Sequence, residues 1–355
     1  MKITSIRVEK ENLELTRPYS IAYKTVSAVE NVIVRVEGEN GMTGIGAANP
    51  SKLVVGEDVH ETEQLLNEQA LNQFVGKDIR EIHLLCERLH ELFPGKPGAK
   101  CALDIAFYDL FTQYLGVPLA SYLGQAHTEL PTSITIGIKT LEETMEEAGE
   151  YVGRGFSYLK VKIGGNLEED LERLTKLREK YGTSIHIRVD ANQGYSVEEF
   201  TTFYHRSTKL DLELVEQPLP RDKTAHMGDF SPEIRKVIAG DESLVNVEDA
   251  LFLARGETLC GIFNIKLMKC GGVYQAKRIA EIGRNHGISL MWGCNDESII
   301  SISAALHAAF SCPHTRYLDL DGSLDLAKDV VAGGFVMQDG VMSLSGGTGL
   351  GVKIL

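Results

Sequence analysis

Five short runs decide the fold: YLKVK (Tyr158–Lys162), IHIRVD (Ile185–Asp190), LELVE (Leu212–Glu216), KVIAGD (Lys236–Asp241) and GIFNIK (Gly261–Lys266). Each is largely apolar inside and closes on a charged residue. The closing residues Lys162, Asp190, Glu216, Asp241 and Lys266 are 28, 26, 25 and 25 positions apart. A strand with its returning helix and two turns needs about that many residues. A charge at the end of one buried strand is an accident, whereas five in succession at a steady period mark one site.

The period runs on in both directions. TSITIGI (132–138) lies one repeat earlier; ISLMWG (288–293) and TRYLDLD (315–321) lie one and two repeats later. Between the strands run amphipathic stretches such as LEEDLERLTKLREKY (167–181) and VYQAKRIAEIGRNHG (273–287), with apolar residues at helical spacing. Eight strands alternating with helices predict an α/β fold, a TIM-type barrel over residues 126–324, with its active site at the C-terminal strand ends. All five charged residues stand at those ends.

At 355 residues the chain has room for a barrel and a second domain. Residues 1–125 read as α+β: KITSIRVEK, VENVIVRVEGEN and GMTGIGAAN as strands, the last two joined by an Asn40-Gly41 turn, then three helical stretches over 60–75, 80–93 and 100–116. The Gly-rich segment 325–355 is expected to return in part to this first domain. Its GGTGLG lacks the strand–turn–helix setting of a phosphate loop and reads as a turn.

A net charge of −14 without a basic block argues against nucleic-acid binding. Six scattered cysteines without a CxxC pair argue against a disulfide or zinc framework. The N-terminal MKITSIRVEK is a strand pattern rather than a signal peptide, and no apolar run approaches a membrane span, so the sequence reads as a cytoplasmic enzyme.

Asp190, Glu216 and Asp241 close the third, fourth and fifth barrel strands, so they neighbour one another. Three carboxylates without His or Cys select a hard cation, and Mg²⁺ suits such a set. The plainer alternative is a carboxylate cluster neutralised by Lys or Arg. Lys160 and Lys162 both point inward from the second strand, and Lys266 faces them from the sixth. A carbon held between the lysines could lose a proton to one and receive one from the other, with the cation steadying the enolate. Lys160 is expected to lower the pKa of Lys162 as a like charge, or else to pair with one of the acids. Lys269 is expected behind the site or on the surface, because its odd spacing from Lys266 would turn it away. Asp319 and Asp321 share a face of the eighth strand, away from the three acids in ring order; such a pair suits an α-ammonium.

These residues resemble the muconate-lactonizing-enzyme subgroup of the enolase superfamily, over nearly the whole chain. The motifs are Lys160-Val161-Lys162, Asp190-Ala191-Asn192, Glu216-Gln217-Pro218, Asp241-Glu242-Ser243, and Lys266 followed by Gly271-Gly272. The resemblance implies a modified (β/α)7β barrel with an N-terminal α+β capping domain. It makes Lys162 and Lys266 the acid/base catalysts with Lys160 beside them, and Asp190, Glu216 and Asp241 the ligands of one Mg²⁺ per subunit.

Within the subgroup, Asp319-Leu320-Asp321 is similar to the D-x-D signature of dipeptide epimerases, which implies an Ala-Xaa-type dipeptide inverted at its second residue. The substrate-binding set is then Asp319, Asp321, Lys24, Thr135, Lys160 and Asn295, with capping loops around Lys24 and Ser51-Lys52-Leu53 closing over the second side chain. Lys24 stands where Ala-Glu epimerases carry an arginine, and the two cations are not equivalent at a carboxylate. A homo-oligomer is compatible with the sequence. Rival readings are an N-acylamino-acid racemase, an o-succinylbenzoate synthase or a cycloisomerase, a Schiff-base aldolase, and a non-catalytic barrel.

Overall fold

The computed structural model describes residues 1–21 and 24–355, with the side chains of 18–21 and 24–26 left aside. The chain opens with two long antiparallel strands, β1 (Ile3–Ile21) and β2 (Lys24–Gly38), and β2 pairs onward with β3 (Thr43–Ala48). The turn before β3 contains Asn40-Gly41, as expected, with Gly41 at φ 80°. The first hairpin is longer than the sequence suggests, because residues 11–28 carry few alternating apolar positions. The Lys24 side chain lies outside the described residues.

Three helical stretches follow, and their details differ from expectation. The first splits into Val59–Leu65 and Glu68–Leu71, because the Asn67 side chain accepts from Ala70 N and starts a new helix. The third, Pro97–Leu115, is apolar nearly all round and correspondingly buried. It lies so close to β3 that a Cβ on Gly46 would meet Ala106 N at 2.8 Å, which accounts for the Gly-Ile-Gly of that strand.

β4 (Glu129–Pro131) leads into eight strands in one parallel sheet: β5 (Ile134–Ile136), β6 (Tyr158–Lys162), β7 (His186–Asp190), β8 (Leu212–Glu216), β9 (Ile238–Gly240), β10 (Ile262–Ile265), β11 (Ser289–Gly293) and β12 (Thr315–Asp319), hydrogen-bonded in sequence order. Ser133 N donates to Leu318 O at 3.0 Å beside β5, bringing the two ends of the sheet together. The register sets Lys162 opposite Asp190 and Asp190 opposite Glu216, so three charged side chains leave the barrel at one level.

The tail forms β13 (Val331–Gly333), β14 (Phe335–Gln338), β15 (Val341–Leu344) and β16 (Val352–Ile354). β15 pairs with β4, and Gly349 exchanges backbone hydrogen bonds with Val117 and Leu119. The capping helix Pro97–Leu115 also reaches the barrel: Asp104 accepts from Val273 N (2.5 Å) and Tyr274 N (3.3 Å), capping the helix Val273–Asn285. Among the described residues no helix is long and apolar enough to cross a membrane.

Candidate active site

Lys162, Asp190 and Glu216 end their strands, while Asp241 and Lys266 each stand one residue past theirs. The turns that follow are tightly built. Asn192, Gln193 and Gln217 adopt left-handed φ values of 41°, 69° and 35°, directly after the acids of β7 and β8. Such backbone is costly for non-glycine residues and persists where the surroundings hold it. Gln217 is held by its side chain. Its Oε1 accepts from Asp241 N (2.9 Å), Ser243 N (3.1 Å) and Ser243 Oγ (2.9 Å), and its Nε2 donates to Leu219 O (2.8 Å). The Glu-Gln-Pro and Asp-Glu-Ser segments are thereby stitched together, and Glu216 and Asp241 with them.

The acids are buried and answered by ammonium groups. Lys160 Nζ lies 2.7 Å from Asp319 Oδ2, 2.8 Å from Glu216 Oε2 and 3.2 Å from Asp190 Oδ2. Lys162 donates to Asp190 Oδ2 (2.6 Å) and Asn192 Oδ1 (2.8 Å). Lys266 donates to Asp241 Oδ2 (2.9 Å), and Lys269 to Asp241 Oδ1 and, at 2.6 Å, to Asp241 O.

The proton affinities follow from these contacts. Burial works to raise the Asp190 carboxyl, but Lys162 and Lys160 outweigh it and hold it low. Lys266 and Lys269 likewise overcome burial at Asp241. Glu216 goes the other way: burial, reinforced by the Asp190 charge, pushes it up to about 8.

Lys160 therefore behaves differently from one of the expectations above. Burial would lower its pKa, but Asp319, Glu216 and Asp190 together raise it well above the ordinary lysine value. Its charge is compensated by three acids, so it does not face Lys162 as a bare like charge. It also reaches across the barrel, joining Asp319 on β12 to the acids of β7 and β8.

Asp319 is consequently not open to the mouth, since Lys160 and Ser133 Oγ (2.7 Å) occupy it. Asp321, two residues past β12 and half-buried, accepts from Thr135 N at 2.8 Å. Burial and then the Asp319 charge raise its carboxyl to about 6. Asn295 donates from Nδ2 to Asn49 O (2.9 Å), tying the loop after β11 to the capping domain. Asn295, Asp241 and Lys266 line a small cavity together with Ser51, Val54 and Val55. Of Ser51-Lys52-Leu53, only Ser51 takes part. Residues 52–55 form one helical turn, on which Lys52 pairs with Asp58 and Glu61 and Leu53 is 90% exposed.

The donor chemistry of Asp190, Glu216 and Asp241 fits a hard cation, because every candidate ligand is a carboxylate oxygen. Glu216 Oε2 is buried and takes no hydrogen bond, and the cation that answers it is the Lys160 ammonium at 2.8 Å. As placed, no three acidic, His or Cys side chains among the described residues close round one point, and ammonium groups stand between the acids instead.

The sequence matches the mandelate racemase / muconate lactonizing enzyme N-terminal domain over residues 3–124 and the enolase C-terminal domain-like family over 143–355. The chain belongs to the enolase superfamily. It is 51% identical to an L-Lys-D/L-Arg epimerase of Desulforapulum autotrophicum, over 99% of both chains. A crystal structure of a dipeptide epimerase from Methylococcus capsulatus, complexed with Mg and the dipeptide L-Arg-D-Lys, superposes with a TM-score of 0.97 at 47% identity, covering all of both chains. The substrate-liganded L-Ala-D/L-Glu epimerase of Bacillus subtilis superposes at 0.93 with 31% identity over 99% of each.

Within this superfamily fold, several residues at the site escaped the sequence reading. Lys269 is buried behind the site, as one branch of the expectation had it, but it grips Asp241 rather than turning away. The strand ends at Ile265 and a helical turn, Leu267–Cys270, begins at once, so a spacing of three brings Lys269 back towards Asp241. Asn264 donates from Nδ2 to Glu216 Oε1 at 2.8 Å. Its signal was a lone amide inside an apolar strand, two residues before Lys266. Asn192 and Gln217 lay inside motifs already quoted, but nothing in their spacing revealed left-handed backbone.

Proposed function

We propose that the protein is a dipeptide epimerase that inverts the α-carbon of the C-terminal residue by a two-lysine 1,1-proton transfer. The similarity over the whole of both chains to an L-Lys-D/L-Arg epimerase carries the reading. In it, Lys162 and Lys266 flank the α-carbon: the lysine on one face removes the proton of one epimer to leave the enolate, and the lysine on the opposite face delivers a proton to give the other epimer. The partners they hold now, Asp190 with Asn192 and Asp241, keep both ammonium groups at the strand ends. Asp190, Glu216 and Asp241 would hold one Mg²⁺ per subunit; when bound, the ion would withdraw charge from the substrate carboxylate and so acidify the neighbouring C–H. Lys160 balances the acids and keeps Asp319 in place. Asp321, held by the backbone of Thr135, would receive the free α-ammonium, a charge-assisted contact.

For the side chains we favour Lys or Arg over the small, Ala-like first residue read from the D-x-D motif. The support is the higher identity to the Lys/Arg enzyme than to the Ala/Glu enzyme. From this chain come two acids in the loops after β11 and β12, Asp296 and Asp325. Burial raises the Asp325 carboxyl, the Arg17 and Arg154 charges pull it down, and the Asp296 charge adds a smaller rise, so the two acids lie within electrostatic reach of each other.

The test is a dipeptide library incubated in D₂O and read by mass spectrometry, since each inversion installs one deuterium. Lys- and Arg-containing dipeptides should exchange fastest. A lead for Ala-Glu would restore the small first residue. Faster exchange of N-acylated Arg or Lys than of any dipeptide would make the enzyme an N-acylamino-acid racemase.

A further inference from the structure

Lys266 sits in a pocket of packing that Asp241 alone does not account for. Beside it, β11 ends at Gly293, which is buried. Its φ is not in the left-handed range, so the backbone does not demand a glycine there. The neighbours do. A Cβ at 293 would lie 2.6 Å from Asn264 Oδ1, 3.0 Å from Asn264 Nδ2 and 3.0 Å from Lys266 Cε. Two of these atoms belong to the amide that holds Glu216, and the third to the stem of the lysine itself.

On its other side stands Lys269. Its ammonium has three protons and finds three acceptors: Asp241 O (2.6 Å), Asn264 O (3.0 Å) and Asp241 Oδ1. With Oδ1 taken, Asp241 presents Oδ2 to Lys266. The orientation of the carboxylate that receives Lys266 is therefore set by Lys269.

We propose that Gly293 and Lys269 are positioning residues for Lys266, Gly293 by leaving room for its stem and Lys269 by fixing the Asp241 carboxylate. The proposal rests on the reading of Lys266 as the base for one face of the α-carbon. Neither residue touches Lys162 or its partners Asp190 and Asn192, but Lys269 holds Asp241 and Gly293 borders the Asn264 amide that holds Glu216, so with the metal site kept saturated disturbing either one impairs the Lys266 face of proton exchange more than the other.

The experiment follows α-proton exchange in D₂O by NMR, separately for each epimer of one dipeptide substrate, with Mg²⁺ present. Lys266→Ala identifies the epimer that Lys266 serves. At saturating Mg²⁺, Gly293→Ala should slow exchange of that same epimer on the order of 100-fold, the usual consequence of displacing a reacting group by about 1 Å, and slow the other epimer far less. Lys269→Met should show the same asymmetry. It strips a donor from three buried acceptors, so if it does not fold, Gly293→Ala decides the matter. Gly153→Ala, where an added Cβ meets nothing within 4 Å, serves as the neutral control. Equal slowing of both epimers in Gly293→Ala, no slowing, or slowing of the other epimer overturns the proposal. Retention of both exchanges in Lys266→Ala would instead overturn the two-lysine reading, whatever Gly293→Ala does.

Discussion

The two lysines at the mouth of the barrel are held in contrasting ways. Lys162, 27% exposed along its side chain, is held by two polar partners, Asp190 and Asn192, both supplied by the next repeat of the barrel. Lys266 is 12% exposed and is confined by packing as well as charge. Behind Lys266 stands the other domain. Asp104 of the capping helix caps the helix that follows, and a Cβ on Gly271 would lie 3.0 Å from Lys100 Cε. One lysine is therefore placed by its own strand and its neighbour, while the other depends on two domains fitting together. Two groups can do symmetrical chemistry without being built symmetrically.

The largest effect should not distinguish the two sides. Exhaustive removal of divalent cation by a chelator should abolish exchange at both faces, and added Mg²⁺ should restore it; full turnover in EDTA would remove the metal from the account. Single lysine substitutions break the symmetry. Lys162→Ala and Lys266→Ala should each lower epimerisation by about 10²–10⁴-fold, the usual range for a general acid or base, while each spares exchange of one epimer. Near wild-type epimerisation by either variant would refute the pair.

Asp321→Asn acts on neither lysine. Losing one charge-assisted buried contact costs about 2–5 kcal/mol, so KM for dipeptides should rise steeply while N-acylated analogues, which carry no ammonium, respond little. Similar KM changes for both substrate types would detach Asp321 from the ammonium.

The smallest effect probes the cross-domain anchor behind Lys266. Burial raises the Asp104 carboxyl from 3.8 to about 7, against the pull of the Val273 and Tyr274 N–H groups. The folded state then holds this proton more tightly than the unfolded chain does. Its contribution to stability is complete below pH 3.8 and is lost as the pH climbs to about 7. Asp104→Asn should flatten the fall in stability across that window, as measured by urea unfolding at a series of pH values. An unchanged slope would mean that Asp104 titrates as an ordinary carboxylate.

The barrel was legible because its period is written in charged residues that each stop an apolar run. Lys162, Asp190 and Glu216 stand where strand alternation puts them, and the register then levels them. Legibility failed where the chain left the strand. Lys269 follows a helical turn, so strand parity gave the wrong side. The fate of Asp319 could not be read from β12 alone, since its partner Lys160 approaches from β6. Gly293 closes a buried strand, but the reason for a glycine there lies in the side chains of β10, which a one-dimensional pattern does not bring together. The β1–β2 hairpin hid for a compositional reason, since Pro18 and a polar stretch interrupt its alternation.

Lys160 carries one further consequence. A single positive charge is shared by carboxylates from β7, β8 and β12, so these positions cannot vary independently. Neutralising Asp319 leaves more of that charge to Glu216 and Asp190, and a second substitution at Glu216 then starts from a different electrostatic background. Effects in such a network do not sum, and double-mutant cycles between positions 216 and 319 should show a sizeable interaction energy. Any path of sequence change through this site is therefore order-dependent: the same two replacements pass through unequal intermediates, depending on which strand changes first.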